Sequence, residues 1–136
     1  MNPIDELKKG QTARWVLDDV LRKNPESLKP YFKRMLIMLD KPGCPPGIKR
    51  NVMRLFSLAG LPSSVKGQAF DKASKLFAEH SEPIAVKVFA MTVMANVALE
   101  EPELKSEVII AIEQQLPYGS PAFRSRGFKL LRVLKR

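Results

Sequence analysis

The stretch PIAVKVFAMTVMANVAL, residues 83–99, is apolar on nearly every side when wound at the helical period, interrupted only by Lys87, Thr92 and Asn96. Its length reaches the lower limit for a membrane span. The three polar side chains and the flanking Glu82, Glu100 and Glu101 point instead to a helix covered by protein. Such a helix needs neighbours on both sides, so it belongs in the middle of a helical stack. Ser81 and Pro83 are the expected cap and first turn.

The segments on either side supply those neighbours. Each shows the helical period and none shows clean strand alternation, so the expected fold class is all-α. Asn2 and Pro3 open a short turn that Gly10 ends, and a helix over 12–24 carries Ala13, Val16, Leu17, Val20 and Leu21 on one stripe. Ser27 is the expected cap of the next helix. Pro30 falls in its first turn and Leu28, Phe32, Met35, Leu36 and Leu39 share a face, until KPGCPPG stops it. Helices over about 47–59 and from about 64 follow. A sixth begins at Glu101 and Pro102, with Leu104, Val108, Ala111, Ile112 and Gln115 on one stripe. A last one, capped by Ser120 and Pro121, turns Phe123, Gly127, Leu130, Leu131 and Leu134 inward.

Three of these helices repeat one another. Lys49, Lys87 and Arg124 stand near their starts, 38 and 37 residues apart, and the following positions match in character. The sets are Val52, Ala90, Gly127; Met53, Met91, Phe128; Leu55, Val93, Leu130; Phe56, Met94, Leu131; and Ala59, Val97, Leu134. A period of that length marks paired helices that bury their apolar faces only against the next pair.

On EPIAVKVFAM and SPAFRSRGFKLL the chain resembles the first helices of HEAT repeats, over about 45–136 and less clearly over 12–40. The resemblance implies an α-α superhelix of antiparallel helix pairs, here about three pairs and a closing helix in a single domain, residues 1–136. Many HEAT repeats carry an Asp six residues before the basic residue, forming a stacked ladder. Gly43, Ser81 and Tyr118 occupy those places, so the ladder is not expected here. VKVFAMTV together with EQQLPYGSPAFRSRGFKLL is similar to a group of small bacterial HEAT-like proteins, some of which have carried an adenylosuccinate lyase name. That activity is not expected, because the chain is far shorter, LPSS does not supply the lyase Gly-Ser-Ser loop, and His80 is the single His.

The remaining single-copy residues carry little chemistry. Cys44 excludes an intramolecular disulfide, and MNPIDELKKG is charged where a secretory signal is apolar, so a reducing, cytoplasmic setting is expected. His80 and Cys44 are too few for a metal site, and neither a metal nor a cofactor is expected. His80 reads as a solvated side chain at a helix end, Cys44 as part of a Pro-Gly turn, and the methionines as core filling. Trp15 with Asp18 and Asp19 invites comparison with HEAT-like DNA repair glycosylases, which hold an extruded base between aromatic and acidic groups. Here Trp15 reads as covering one end of the stack.

Charge is the more informative feature. The chain holds 23 Lys and Arg against 14 Asp and Glu, a formal net charge of +9. Residues 1–80 carry 15 basic and 8 acidic groups, residues 81–119 carry 2 and 6, and residues 120–136 carry 6 and none. Blocked charge gives signed surface patches. Arg124, Arg126, Lys129 and Arg132 fall opposite the apolar stripe of the last helix. If second helices line a concave side, as the resemblance implies, Lys29, Lys33 and Arg34, then Lys66, Lys72 and Lys75, face it as well, against an acidic group of Glu103, Glu107 and Glu113. The expected function is a non-enzymatic HEAT-like scaffold whose basic surface holds an acidic protein or peptide. The alternative is sequence-nonspecific DNA or RNA backbone binding, and a glycosylase-type enzyme ranks third.

Overall fold

The computed structural model describes residues 23–136. Trp15, Asp18, Asp19 and most of the expected 12–24 helix lie outside the described residues. Helix α1 spans Phe32–Asp40 and is entered through a 3-10 segment, Pro25–Tyr31. Then come α2 (Pro46–Leu58), α3 (Ser63–Ala78), α4 (Ile84–Glu100), α5 (Lys105–Gln115) and α6 (Pro121–Leu134). Short 3-10 turns, Pro102–Leu104 and Leu116–Tyr118, bracket α5. Among the described residues there is no strand, and no helix is long and apolar enough to cross a membrane.

Two expected caps are placed differently. Ser27 lies inside the 3-10 segment and its hydroxyl donates to the Asn24 carbonyl at 2.8 Å, while Pro30, which lacks an N–H, sits within that tighter turn. Ser81 precedes the α4 cap position, Pro83, and directs its amide and hydroxyl to the Glu79 carboxylate. Those bonds hold Glu79 below its ordinary carboxylate range. Ser120 does cap α6, accepting from the Phe123 amide at 3.3 Å with Pro121 as first helical residue.

Helix α4 is the hub. It packs against α2, α3, α5 and α6, and it buries Val86, Ala90, Met91, Val93, Met94, Ala95, Val97 and Ala98. Of its polar interruptions Thr92 is accommodated locally, donating back to the Val88 carbonyl at 2.9 Å, a bond within the helix. The methionines 35, 38, 53, 91 and 94 are all core residues. Phe32 meets Phe56 edge to face at 5.3 Å, and Phe77 stacks on Phe123 at 5.9 Å, tying α1 to α2 and α3 to α6.

Side-chain bonds between helices one repeat apart set the directions. At one end Lys49 of α2 pairs with Glu82, just before α4, at 2.6 Å; at the other, Asn96 of α4 donates to the Ser57 carbonyl of α2 at 3.0 Å. Helices α2 and α4 therefore run parallel. Gln115, ending α5, donates to the Phe77 carbonyl near the end of α3 at 2.8 Å, so α3 and α5 are parallel too. Lys66 at the start of α3 reaches Glu100 at the end of α4, at 2.6 Å, which makes those neighbours antiparallel. Gly127 lets α6 approach α5 closely, since a Cβ there would fall 2.6 Å from a Leu116 methyl.

Asn96 and Gln115 thus satisfy carbonyls at the C-terminal turns of the equivalent helices before them, groups that a helix leaves without an internal partner. Asn96→Ala and Gln115→Ala should each cost about 1 kcal/mol in urea unfolding, and nearly additively, because they share no partner. Gln114→Ala, at the exposed neighbouring position, should be neutral.

Candidate functional site

Helix α6 presents its charge because its cap and its apolar stripe fix its rotation. With Phe123, Gly127, Leu131 and Leu134 buried, Arg124, Arg126, Lys129 and Arg132 all face outward and are exposed. None of the four has a hydrogen bond or ion pair with another described residue. Lys135 differs, since it pairs with Glu113 of α5 at 3.0 Å.

Phe128 stands between Arg124 and Arg132 on this cationic face and is 55% exposed. It lies one helical turn from both Arg124 and Arg132 and next to Lys129, and with Arg132, Leu131, Leu116 and the Glu113–Lys135 pair it lines a shallow groove of about 390 Å³. The repeat explains why sequence reasoning passed it over. Phe128 occupies the position of Met53 and Met91, which are fully buried, but α6 has no following described helix of the stack on that side.

The other expected anion-binding residues are separated from α6 and differently engaged. Lys29 pairs with Glu26 at 2.8 Å, and the Arg34 guanidinium lies 5.9 Å from the Tyr31 ring centroid. Lys33 is exposed. Helix α1 packs on α2 and α3, whereas α6 packs on α4 and α5, so the two cationic groups occupy opposite ends of the stack. On α3 two of the three lysines are spent internally. Lys66 is held by Glu100 and Glu101, which raise its affinity for its proton, and Lys72 pairs with Asp40. Lys75 is exposed.

Cys44 sits partly covered in the α1–α2 turn, where burial pushes its thiol up, away from the thiolate that nucleophilic or redox work requires. His80 is exposed beyond the end of α3. Among the described residues no three metal-ligating side chains come together. No protein-family model, no curated protein and no solved structure matches this chain.

Because the four outward cations of α6 hold nothing within the described fold, replacing all of them with Gln should leave stability within about 0.5 kcal/mol of the parent, or raise it at low salt through relieved repulsion. Thermal melts at two ionic strengths check this, and a loss well beyond that amount would make the cations structural.

Proposed function

We propose that the chain is a HEAT-like helical scaffold that holds an acidic protein segment against the outer face of α6. The fold part of this reading is supported by the two sets of parallel helices, α2 with α4 and α3 with α5, and by side-chain bonds spanning 39 and 38 residues, one repeat of the sequence. The functional part rests on one observation, an exposed Phe128 flanked by Arg124 and Arg132 on a face that also carries Lys129 and Arg126, four cations that form no ion pair with a described residue, the nearby Glu113 being paired with Lys135.

The chemistry of such a patch favours a protein over a phosphate backbone. An aromatic side chain ringed by arginines is the composition that anchors protein interfaces, where a central apolar contact supplies residence time and the charged rim supplies orientation and encounter rate. Phosphate tracking needs a continuous run of available cations. In this fold the lysines that would extend one away from α6, Lys66 and Lys72, are already paired with carboxylates, and α5 with the turn before it presents Glu103, Glu107 and Glu113.

The test is fluorescence anisotropy with three labelled probes: an amphipathic helical peptide of Glu with a Leu stripe, an all-Glu peptide of equal length, and a DNA duplex. At about 50 mM salt the Glu/Leu peptide should bind best, and Phe128→Ser and the Arg124→Gln/Arg132→Gln pair should each weaken it by roughly tenfold. Tighter binding of the duplex, with a steep salt slope and indifference to Phe128→Ser, would replace this reading by backbone binding to nucleic acid. Binding of none of the probes would remove both.

A further inference from the structure

A second site lies at the opposite side of α4 from its contact with α2, where the repeat fails to complete an ion pair. Lys49 and Lys87 occupy the same position in successive repeats. Lys49 is neutralised by Glu82, which stands five residues before Lys87. The residue five before Arg124, and hence the position that should neutralise Lys87, is Gly119. No carboxylate can be installed there without disturbing the core, because a Cβ on Gly119 would fall 2.3 Å from the Phe123 ring. The next residue, Ser120, is committed to capping α6.

Lys87 is left with a buried stem, 7% exposed overall, and with neither a hydrogen bond nor an ion pair. Its ammonium lies 5.6 Å from the centroid of Phe77, the ring that stacks on Phe123. Burial lowers its proton affinity, and Glu79 opposes that only through space, its carboxylate being bonded to Ser81. Lys87 also lines an open cavity of about 670 Å³, together with Ile84, Gln115, Gly119 and Phe123. The other titratable groups on its wall are His80, Glu82 and Tyr118, and the Glu82 charge is taken up by Lys49.

We infer that this cavity binds a carboxylate carried on an apolar body, with Lys87 as its counter-ion and Ile84 and Phe123 as the wall for the apolar part. The ligand completes the rung that the chain leaves open at Gly119. Gln115 contributes orientation, since its amide nitrogen is fixed on the Phe77 carbonyl and its own oxygen is left as an acceptor, which favours a ligand that also carries an N–H. Both a free carboxylic acid and the terminal carboxylate of a peptide supply the carboxylate and the apolar body, and the peptide adds the N–H. The site is independent of the α6 face.

The experiment is NMR titration of the full chain with phenylacetate, with its neutral isostere phenylacetamide, and with a short acetylated peptide ending in phenylalanine, offered as the free acid and as the amide. The acids should shift the amides of Lys87, Gly119 and Phe123 and raise the pH at which the Lys87 side chain titrates, since a neighbouring negative charge favours the ammonium form. The two amides should do neither. Lys87→Met keeps the buried stem and removes an uncompensated charge, so it folds, and it should lose affinity by roughly ten- to a hundredfold. Arg124→Gln/Arg132→Gln should bind like the parent, which separates this site from the α6 face. A peptide acid that binds well above phenylacetate identifies a chain terminus as the natural source, and equal binding identifies a free acid. Equal binding of acid and amide, full binding by Lys87→Met, or no shift at Lys87 with either acid would overturn the inference.

Discussion

The apolar circumference of α4 constrains everything around it. A helix with one apolar stripe is satisfied by one partner, but α4 has no side that tolerates water over most of its length, and α2, α3, α5 and α6 are arranged to close it off. That arrangement is what makes two layers of helices necessary: α2 runs parallel to α4 on one side, α6 packs on it as well, and α3 crosses back antiparallel in the second layer. The ion pairs and carbonyl caps then choose the register. Lys49 with Glu82 fixes the starting ends of α2 and α4, and Asn96 on the Ser57 carbonyl fixes their far ends. Bonds of this kind contribute modestly to stability, but a shift of one turn would leave all of them unmade, together with the partly buried groups they satisfy.

Much of this was legible in the sequence because the responsible signals are periodic. The burial of α4, the order of the helices, the repeat of Lys49, Lys87 and Arg124, and the Ser120 cap follow from spacing alone. The helix starts at Ser27 and Ser81 did not, since a hydroxyl beside a proline can bond backward as readily as it can cap. Ser27 turns to Asn24, and Ser81 is claimed by Glu79. The stacked ion pair was missed for a related reason. An acid six residues before the basic position is absent, but Glu82, five before, reaches Lys49 on the preceding helix, and a displacement of one residue in a loop is invisible to a pattern fixed in sequence.

The α6 face shows the same division. Its charge could be read directly, since four cations opposite an apolar stripe must point outward. Phe128 could not, because in the two earlier repeats its position is core. Whether a repeat position is buried depends on whether another helix follows it in the stack, which is a property of neighbours and not of the residue. A side chain that is interior where another helix packs over it is exposed where no described helix does, without any change in local sequence character.

The distribution of ion pairs completes the argument. Three of the four lysines of α2 and α3 find carboxylates from the elements packed against them: Lys49 takes Glu82, Lys66 takes Glu100 and Glu101, and Lys72 takes Asp40. These pairs consume charge that would otherwise extend a positive surface along the stack. Where the repeat stops supplying acids, the cations are left over in two different environments. On α6 they stand in water at little cost, and under the proposed reading their place beside Phe128 would serve encounter and orientation. At Lys87 the leftover charge has a buried stem, a ring on one side and a cavity on the other, and desolvation that Glu79 offsets only through space is costly. An anion supplied at that second place would recover part of the cost, so the broken rung and the exposed patch, though both follow from positions without a paired carboxylate, differ in what they can hold.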